Sequence, residues 1–389
     1  MTIGTRKGDK KMKTLSDEFK PLGQIVLVLQ GGGALGAYQV GVYQALHEAG
    51  IDPDWVIGTS IGAINAAIIA GNQPDDRMGR LTAFWKRVEQ GDMLGMPSSL
   101  FGAAMRNMFT VNTGLPGFFR PNMQAFLNPN AKLGADAAGY YSVDPLRKTL
   151  ADLIDFDTLA NGATRLTVGA SNVRSSEMCY FDSRDMRLNL DHVVASGALP
   201  PAFPAVRIDG ELYWDGGILS NTPVEVVFDD NPRRNAMVFS VNIWNPDGQE
   251  PETIVQVMNR QKDVQFSSRA NAQIKRQRQL HRLRHVVAEL AKLLPDEVRK
   301  DKAVAGLTNY GCLTQMHVIR LLAPALAQED HTKDLDFSAE GIRQRREAGY
   351  RHTMETLEKA PWRTAHDPLE GFILHEVCGG EIIETSAAS

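Results

Sequence analysis

Ser60 lies between Gly58 and Gly62 in the run G-T-S-I-G, where an apolar strand-like stretch ends and a helix-like stretch starts at about Ile61. A sharp strand-to-helix turn holds a hydroxyl at its tip and crowds the backbone, so small residues are needed on both sides. The hydroxyl then faces the positive end of the new helix, where an oxyanion is stabilised. The chemistry this permits is nucleophilic attack, although Gly and Ser also build ordinary turns. A serine nucleophile needs a base for its proton. Asp215 closes the run E-L-Y-W-D ahead of Gly216-Gly217. An aspartate there is commonly a turn former, yet it can act as a base when it is within hydrogen-bond reach and partly desolvated. A histidine base is the alternative. His192 is the least unsuitable candidate, in a helix-like run, and His281, His285 and His317 fall much later.

The third feature is Gly31-Gly32-Gly33-Ala34-Leu35-Gly36, directly after an apolar run. Read as G-x-G-x-x-G it could cradle a dinucleotide, which calls for an acidic residue at the end of the second strand. Asp52 and Asp54 precede that strand, which ends instead in Gly58-Thr59-Ser60. The other reading is an oxyanion hole, since consecutive glycines let N–H groups approach an acyl oxygen.

The elements that must position these residues follow from pattern. Gln24 to Gln30 reads as a strand buried on both faces, followed after the glycine run by a helix from Ala37 to Ala49 that Gly50 stops. Trp55 to Gly58 is the second strand and Ile61 to Ala70 the second helix, the opening of a wound α/β fold. Asp144 to Leu153 predicts a helix with Asp144 as N-cap and Pro145 at its first position. Strands are predicted at Arg165 to Ala170, Met178 to Phe181, Glu211 to Asp215, Ala236 to Trp244 and Met316 to Leu322, the last joining the same sheet. A helix spans Leu190 to Ser196. Between Met93 and Pro129, Met and Phe dominate, as in an adaptable cap over an apolar pocket or the apolar side of ordinary helices. Val255 to Leu294 is helical and carries Lys275, Arg276, Arg278, Arg282 and Arg284, either a solvated face or one drawn to an anionic membrane surface. Ser338 opens a further helix to about Lys359, with Glu340 suggesting a capping box.

Composition sets the bounds. Of 389 residues, 43% are hydrophobic and 23% charged, and the net charge is -4. That balance suits a globular chain and gives no broad attraction to nucleic acid. Cys179, Cys312 and Cys378 show no C-x-x-C spacing, so neither a disulfide framework nor a zinc site is expected, and a reducing compartment fits. Residues 1–20 hold no apolar core and read as a disordered tail rather than a secretory signal. No apolar run approaches about 18 residues, so no membrane span is expected.

Four motifs in order resemble those of the patatin-like phospholipases. They are G-G-G-A-L-G at Gly31 to Gly36, G-T-S-I-G at Gly58 to Gly62, A-S-G-A-L-P-P-A-F from Ala195 to Phe203, and D-G-G at Asp215 to Gly217. The resemblance implies a three-layer α/β/α fold with a mostly parallel central sheet wrapped by helices. It implies a lipid acyl hydrolase that uses a Ser–Asp dyad and needs no cofactor or metal. Ser60 would be the nucleophile, Asp215 the base, and Gly31, Gly32, Gly33 and Ala34 the oxyanion hole, with Gly36, Gly58, Gly62, Gly216 and Gly217 shaping the turns. The expected substrate is a fatty-acyl ester or phospholipid, with no nucleic acid partner, a cytoplasmic location, and peripheral membrane contact left open. Leu35 stands where the family often has Arg or Lys, so no cation is offered there to a head-group phosphate. The motifs lie within a catalytic domain at 21–245. Residues 246–389 form a mainly helical C-terminal extension packed on the same domain, its run from Asp336 to Tyr350 resembling the extension of a bacterial subgroup. An acyltransferase using the same acyl-serine, or a non-catalytic lipid-binding protein, would carry the same motifs.

Overall fold

The computed structural model describes residues 15–91, 102–326, 329–365, 367, 370–378 and 381–384. The strands are β1 (Gln24–Leu29), β2 (Trp55–Thr59), β3 (Arg120–Pro121), β4 (Tyr141–Ser142), β5 (Arg165–Asn172), β6 (Met178–Asp182), β7 (Val206–Ile208), β8 (Glu211–Asp215), β9 (Ala236–Asn242), β10 (Met316–Leu322), β11 (Phe372–Cys378) and β12 (Glu381–Glu384). Among the described residues, ten of them make one sheet in the order β12-β11-β10-β9-β1-β2-β5-β8-β7, with β6 also paired to β5. The middle, from β11 through β10, β9, β1 and β2 to β5, is parallel. The pairings with β12, β6, β8 and β7 are antiparallel. β3 and β4 form a separate small pair.

Alternation along the central strands builds the two cores. On β1, Leu27 and Leu29 face a core that includes Val40, Ile64 and Phe84 from the helices Ala37–Glu48, Ile61–Ala70 and Pro74–Arg87. Val26 and Val28 point the other way, to Val227, Phe228 and Ile274. Because both faces are covered, these strands read as unbroken apolar runs. The result is the expected three-layer α/β/α arrangement.

The C-terminal region joins both layers. Its 40-residue helix, Ile254–Leu293, sends Ile274 into the second core. The helix Ala339–Lys359 lies against Ala37–Glu48 at close range. A Cβ on Gly41 would stand 1.9 Å from the Arg346 carbonyl oxygen, and one on Gly349 would stand 2.1 Å from that of Tyr38. Only residues without a side chain allow this approach.

Several sequence expectations need correction. Residues 1–14 of the expected tail lie outside the described residues, but Leu15–Phe19 is helical rather than disordered. Phe19 is buried against Phe239 and Trp362, and Glu18 pairs with Arg363 at 2.6 Å. The helix Asp144–Leu153 begins on Asp144, with Val143 as N-cap, and the Asp144 carboxylate pairs with Arg120 at 2.8 Å. At Ser338 the cap is real, its oxygen accepting from the Gly341 N–H, but Gly341 at the third position has no side chain to return the bond. β9 stops at Asn242 because Gln30 Oε1 takes the next two N–H groups, of Ile243 at 2.6 Å and Trp244 at 3.1 Å. The extension adds β11 and β12 beyond the expected β10. Of the basic side chains, Arg278 pairs with Glu370 and Arg284 with Asp229. Among the described residues no helix is long and apolar enough to cross a membrane.

Candidate active site

Ser60 forms the turn between β2 and the helix Ile61–Ala70, with φ 56° and ψ -125°. A non-glycine residue in that region carries strain of about 1–3 kcal/mol and persists only where its surroundings enforce it. Here they do. A Cβ on Gly58 would stand 2.3 Å from the Gly62 carbonyl oxygen, and one on Gly62 would stand 2.2 Å from that of Leu29, so the turn closes directly against β1. The Ser60 N–H donates to Ser196 Oγ at 3.0 Å, and the Ser196 hydroxyl donates to the Gly169 carbonyl at 2.6 Å. Ser196 thus ties the turn to β5.

Sheet register brings Asp215 to the same place. Thr59 on β2 pairs with Gly169 on β5, and the neighbouring Ala170 pairs with Asp215 on β8. Ser60 and Asp215 line the same cavity, and the Ser60 side chain acts on the Asp215 carboxyl in the sense that favours its charged form. Asp215 is 2% exposed and takes the Gly217 N–H on Oδ1 at 2.7 Å. Burial pushes its carboxyl up to about 7, and Ser60 and the Gly217 N–H only partly oppose that. A carboxyl titrating there is charged often enough near neutrality to take a proton, and basic enough to hold it.

The glycine run lies beside Ser60, but its four amides differ. The Gly31 N–H donates to the Asn221 carbonyl at 3.1 Å, so it is already engaged, and the expected oxyanion hole loses that member. Among the described residues no protein acceptor takes the N–H of Gly32, Gly33 or Ala34. The Gly31 carbonyl accepts two bonds, from Asn221 Nδ2 at 3.0 Å and Trp244 Nε1 at 2.8 Å. Gly216 and Gly217 both line the Asp215 turn and are buried, and Gly36 is buried against Ile61.

Sequence reasoning missed Ser196, Trp244, the role of Asn221, and the Ile61 N–H. The last had a signal, since the residue after a serine at such a turn presents its amide to the same side. His192 has a different employment. Its Nδ1 accepts the Asn189 N–H at 3.1 Å as half of a capping box, its ring stands edge-on to Phe181, and burial lowers its pKa. Among the described residues no contact joins it to Ser60 or Asp215.

Over Ser60 opens a cavity of about 250 Å³ with mostly apolar walls, including Ile64, Phe118, Phe119, Phe203 and Phe337. Residues 93–101 of the expected cap lie outside the described residues. The remainder forms the helices Ala103–Thr113 and Met123–Leu127, and Val111, Phe118 and Phe119 from this stretch line the cavity.

A parallel α/β sheet whose strand ends in a strained serine turn, beside a buried carboxylate and beneath an apolar cavity, defines the class: an α/β protein with a nucleophile-elbow geometry. The chain belongs to the patatin-like phospholipase family, whose model matches residues 27–228. A second family model, described as patatin phospholipase, matches residues 264–369. Mouse patatin-like phospholipase domain-containing protein 6 is 28% identical over 202 residues, which are 52% of this chain and 12% of the mouse protein. An uncharacterized NTE family protein of Mycobacterium tuberculosis is 29% identical over 205 residues, 52% of this chain and 28% of that protein. Aspergillus terreus lysophospholipase nte1 is 64% identical over 44 residues, 11% of this chain and 3% of that protein. The matches therefore span only a small part of these relatives. Among solved structures, VipD from Legionella pneumophila covers 91% of this chain and 72% of its own at 18% identity, with a TM-score of 0.37, too low to carry an argument.

Proposed function

We propose that this chain is a serine acyl hydrolase that cleaves fatty-acyl esters, of the lipase, phospholipase A or lysophospholipase type. One observation carries the reading: Ser60, on a strained turn, and the buried Asp215 line one apolar cavity, brought to the same place by the register of β2, β5 and β8. Family membership supports the same substrate class.

Ser60 Oγ attacks the ester carbonyl carbon while its proton passes to Asp215. The developing oxyanion meets the N–H groups of Gly32, Gly33 and Ala34, with that of Ile61 from the turn itself. Collapse breaks the bond to the alcohol, which leaves with the proton from Asp215. The acyl-serine is then attacked by water, Asp215 takes the water proton, and the fatty acid departs as Ser60 recovers its hydrogen. Exposed Met105, Met108, Met123 and Leu127 on the two helices beside the cavity support contact with a lipid surface. Co-sedimentation with phospholipid vesicles tests that part, and protein left wholly in the supernatant sinks it.

The test of the chemistry is covalent labelling by a fluorophosphonate together with ester hydrolysis. Both should disappear in Ser60→Ala. Hydrolysis that survives the substitution removes Ser60 from the mechanism.

A further inference from the structure

The cavity over Ser60 is not closed by the residues that carry the four motifs alone. Leu335 and Phe337 also line it, and both belong to the C-terminal region, between β10 and the helix Ala339–Lys359. They fall in the stretch that the second family model covers, for which neither the motifs nor the dyad gives a role.

Phe337 is 3% exposed. Its ring lies 5.8 Å from that of Phe118 and stacks at 6.1 Å and 22° on Trp85 of the helix Pro74–Arg87, which stands behind it. Its carbonyl accepts the Gln90 N–H at 2.8 Å. The preceding turn, Lys333–Leu335, is pinned as firmly. Lys333 pairs with Asp263 at 2.7 Å in buried surroundings, and Asp334 pairs with Lys262 at 2.7 Å. The turn sits on the glycine loop so closely that a Cβ on Gly33 would stand 2.3 Å from the Asp334 carbonyl oxygen. Phe337 is therefore a fixed wall with bulky support, not a side chain free to swing out of the way.

We infer that the C-terminal region closes the acyl chamber, and that Phe337 is the residue that sets acyl-chain length. This rests on the hydrolase reading above. The size follows from volume. A cavity of roughly 150 Å³ holds benzene, about 25 Å³ for each carbon. On that scale the 250 Å³ here corresponds to roughly ten carbons. The substrate class is a medium-chain acyl ester, and longer chains leave their tails outside the apolar walls. A smaller residue at 337 opens space back to Trp85, and a larger one takes space away.

Two measurements on the full chain test this. The first is kcat/KM on a series of p-nitrophenyl esters from acetyl to palmitoyl. The native enzyme should peak at about C10 and fall at least about tenfold by C16. Phe337→Ala should move the peak toward about C14, Phe337→Leu should move it less, and Phe337→Trp should shorten it. Labelling of Ser60 by a small-alkyl fluorophosphonate, measured on all three, separates a loss of Ser60 reactivity from a change in length preference. The second measurement is binding of saturated fatty acids to Ser60→Ala, with and without Phe337→Ala, which reads the chamber without turnover. Affinity should rise with each methylene to about C10 and then level off, and the double variant should continue rising to about C14. Binding that levels off as stated, in a native protein that hydrolyses no ester, overturns the hydrolase reading and leaves the ruler standing. A native profile flat to C16, or length profiles that ignore residue 337 in both assays, overturns the ruler.

Discussion

The Trp244 indole N–H donates to the Gly31 carbonyl at 2.8 Å, and the Asn221 amide donates to the same oxygen at 3.0 Å. A peptide unit is planar, so fixing the Gly31 carbonyl also fixes the Gly32 N–H on the opposite side. Two side chains from distant parts of the chain therefore hold the amide proposed to meet the oxyanion. Trp244→Phe removes the N–H donor together with part of the buried ring system, and keeps an aromatic ring beside Phe266 and Lys333. We expect kcat to fall about tenfold to a hundredfold, less than for outright loss of an oxyanion donor, with KM nearly unchanged. Steady-state kinetics decide it. Unaltered kcat would mean that Asn221 holds the loop without help.

In the proposed mechanism, Asp215 ties activity and stability to the same titration. Its carboxyl must be ionised to accept a proton, so kcat/KM should climb with pH through an inflection near 7 and level off above it. Stability runs the opposite way. The folded-state pKa lies above the unfolded value of 3.8, so folding favours the protonated form. The contribution is intact below about pH 3.8 and is lost progressively as pH rises to about 7. At 1.36 kcal/mol for each pKa unit, ionising this buried group costs on the order of 4 kcal/mol above pH 7. Asp215→Asn carries no such cost. It should lose turnover while melting several degrees higher than the native chain at pH 8, with the gap closing toward pH 4. A gap that stays constant across that range would contradict the assignment.

Much of this was legible in the sequence where local pattern and glycine punctuation agree. The spans Ile61–Ala70, Leu190–Ser196 and Met316–Leu322 match the expected elements residue for residue. The proximity of Ser60 and Asp215 was an inference from family motifs, and the register of β2, β5 and β8 supplies its physical basis. What could not be read depends on contacts between residues far apart in the chain. Nothing near Gly31 signals that its N–H is taken by the Asn221 carbonyl, or its own carbonyl by Trp244. The early end of β9 depends likewise on Gln30, 213 residues earlier. The β11 segment, F-I-L-H-E-V-C, opens on an apolar run consistent with a buried strand.

Ser196 offers a test of what keeps the Ser60 turn strained. Its Oγ accepts the Ser60 N–H at 3.0 Å and donates to Gly169 at 2.6 Å, and it is fully buried. Ser196→Ala leaves the Ser60 N–H without that acceptor, at a cost of about 1–3 kcal/mol. The melting temperature should drop by several degrees. Fluorophosphonate labelling of Ser60 should slow as well, because the turn loses the bond that opposes its relaxation. A lower melting temperature with an unchanged labelling rate would confine Ser196 to stability.

The contact between Gly349 and the Tyr38 carbonyl predicts how strongly the C-terminal region is coupled to the site. Gly349→Ala puts a methyl carbon 2.1 Å from that oxygen, which belongs to the helix following the glycine loop. Backbone cannot yield as a flexible side chain can, so the helix Ala339–Lys359 must move away. Alanine is the better helix former by about 1 kcal/mol, and a purely local effect would raise stability. The clash outweighs it, and overpacking of this kind costs about 1–3 kcal/mol or more. The melting temperature should therefore fall. Because Phe337 leads directly into the displaced helix, hydrolysis of esters near the chamber limit should fall more than that of acetyl esters. A stabilised Gly349→Ala protein with the native chain-length profile would show that the two helices are not in tight contact and that the C-terminal region does not set the chamber wall.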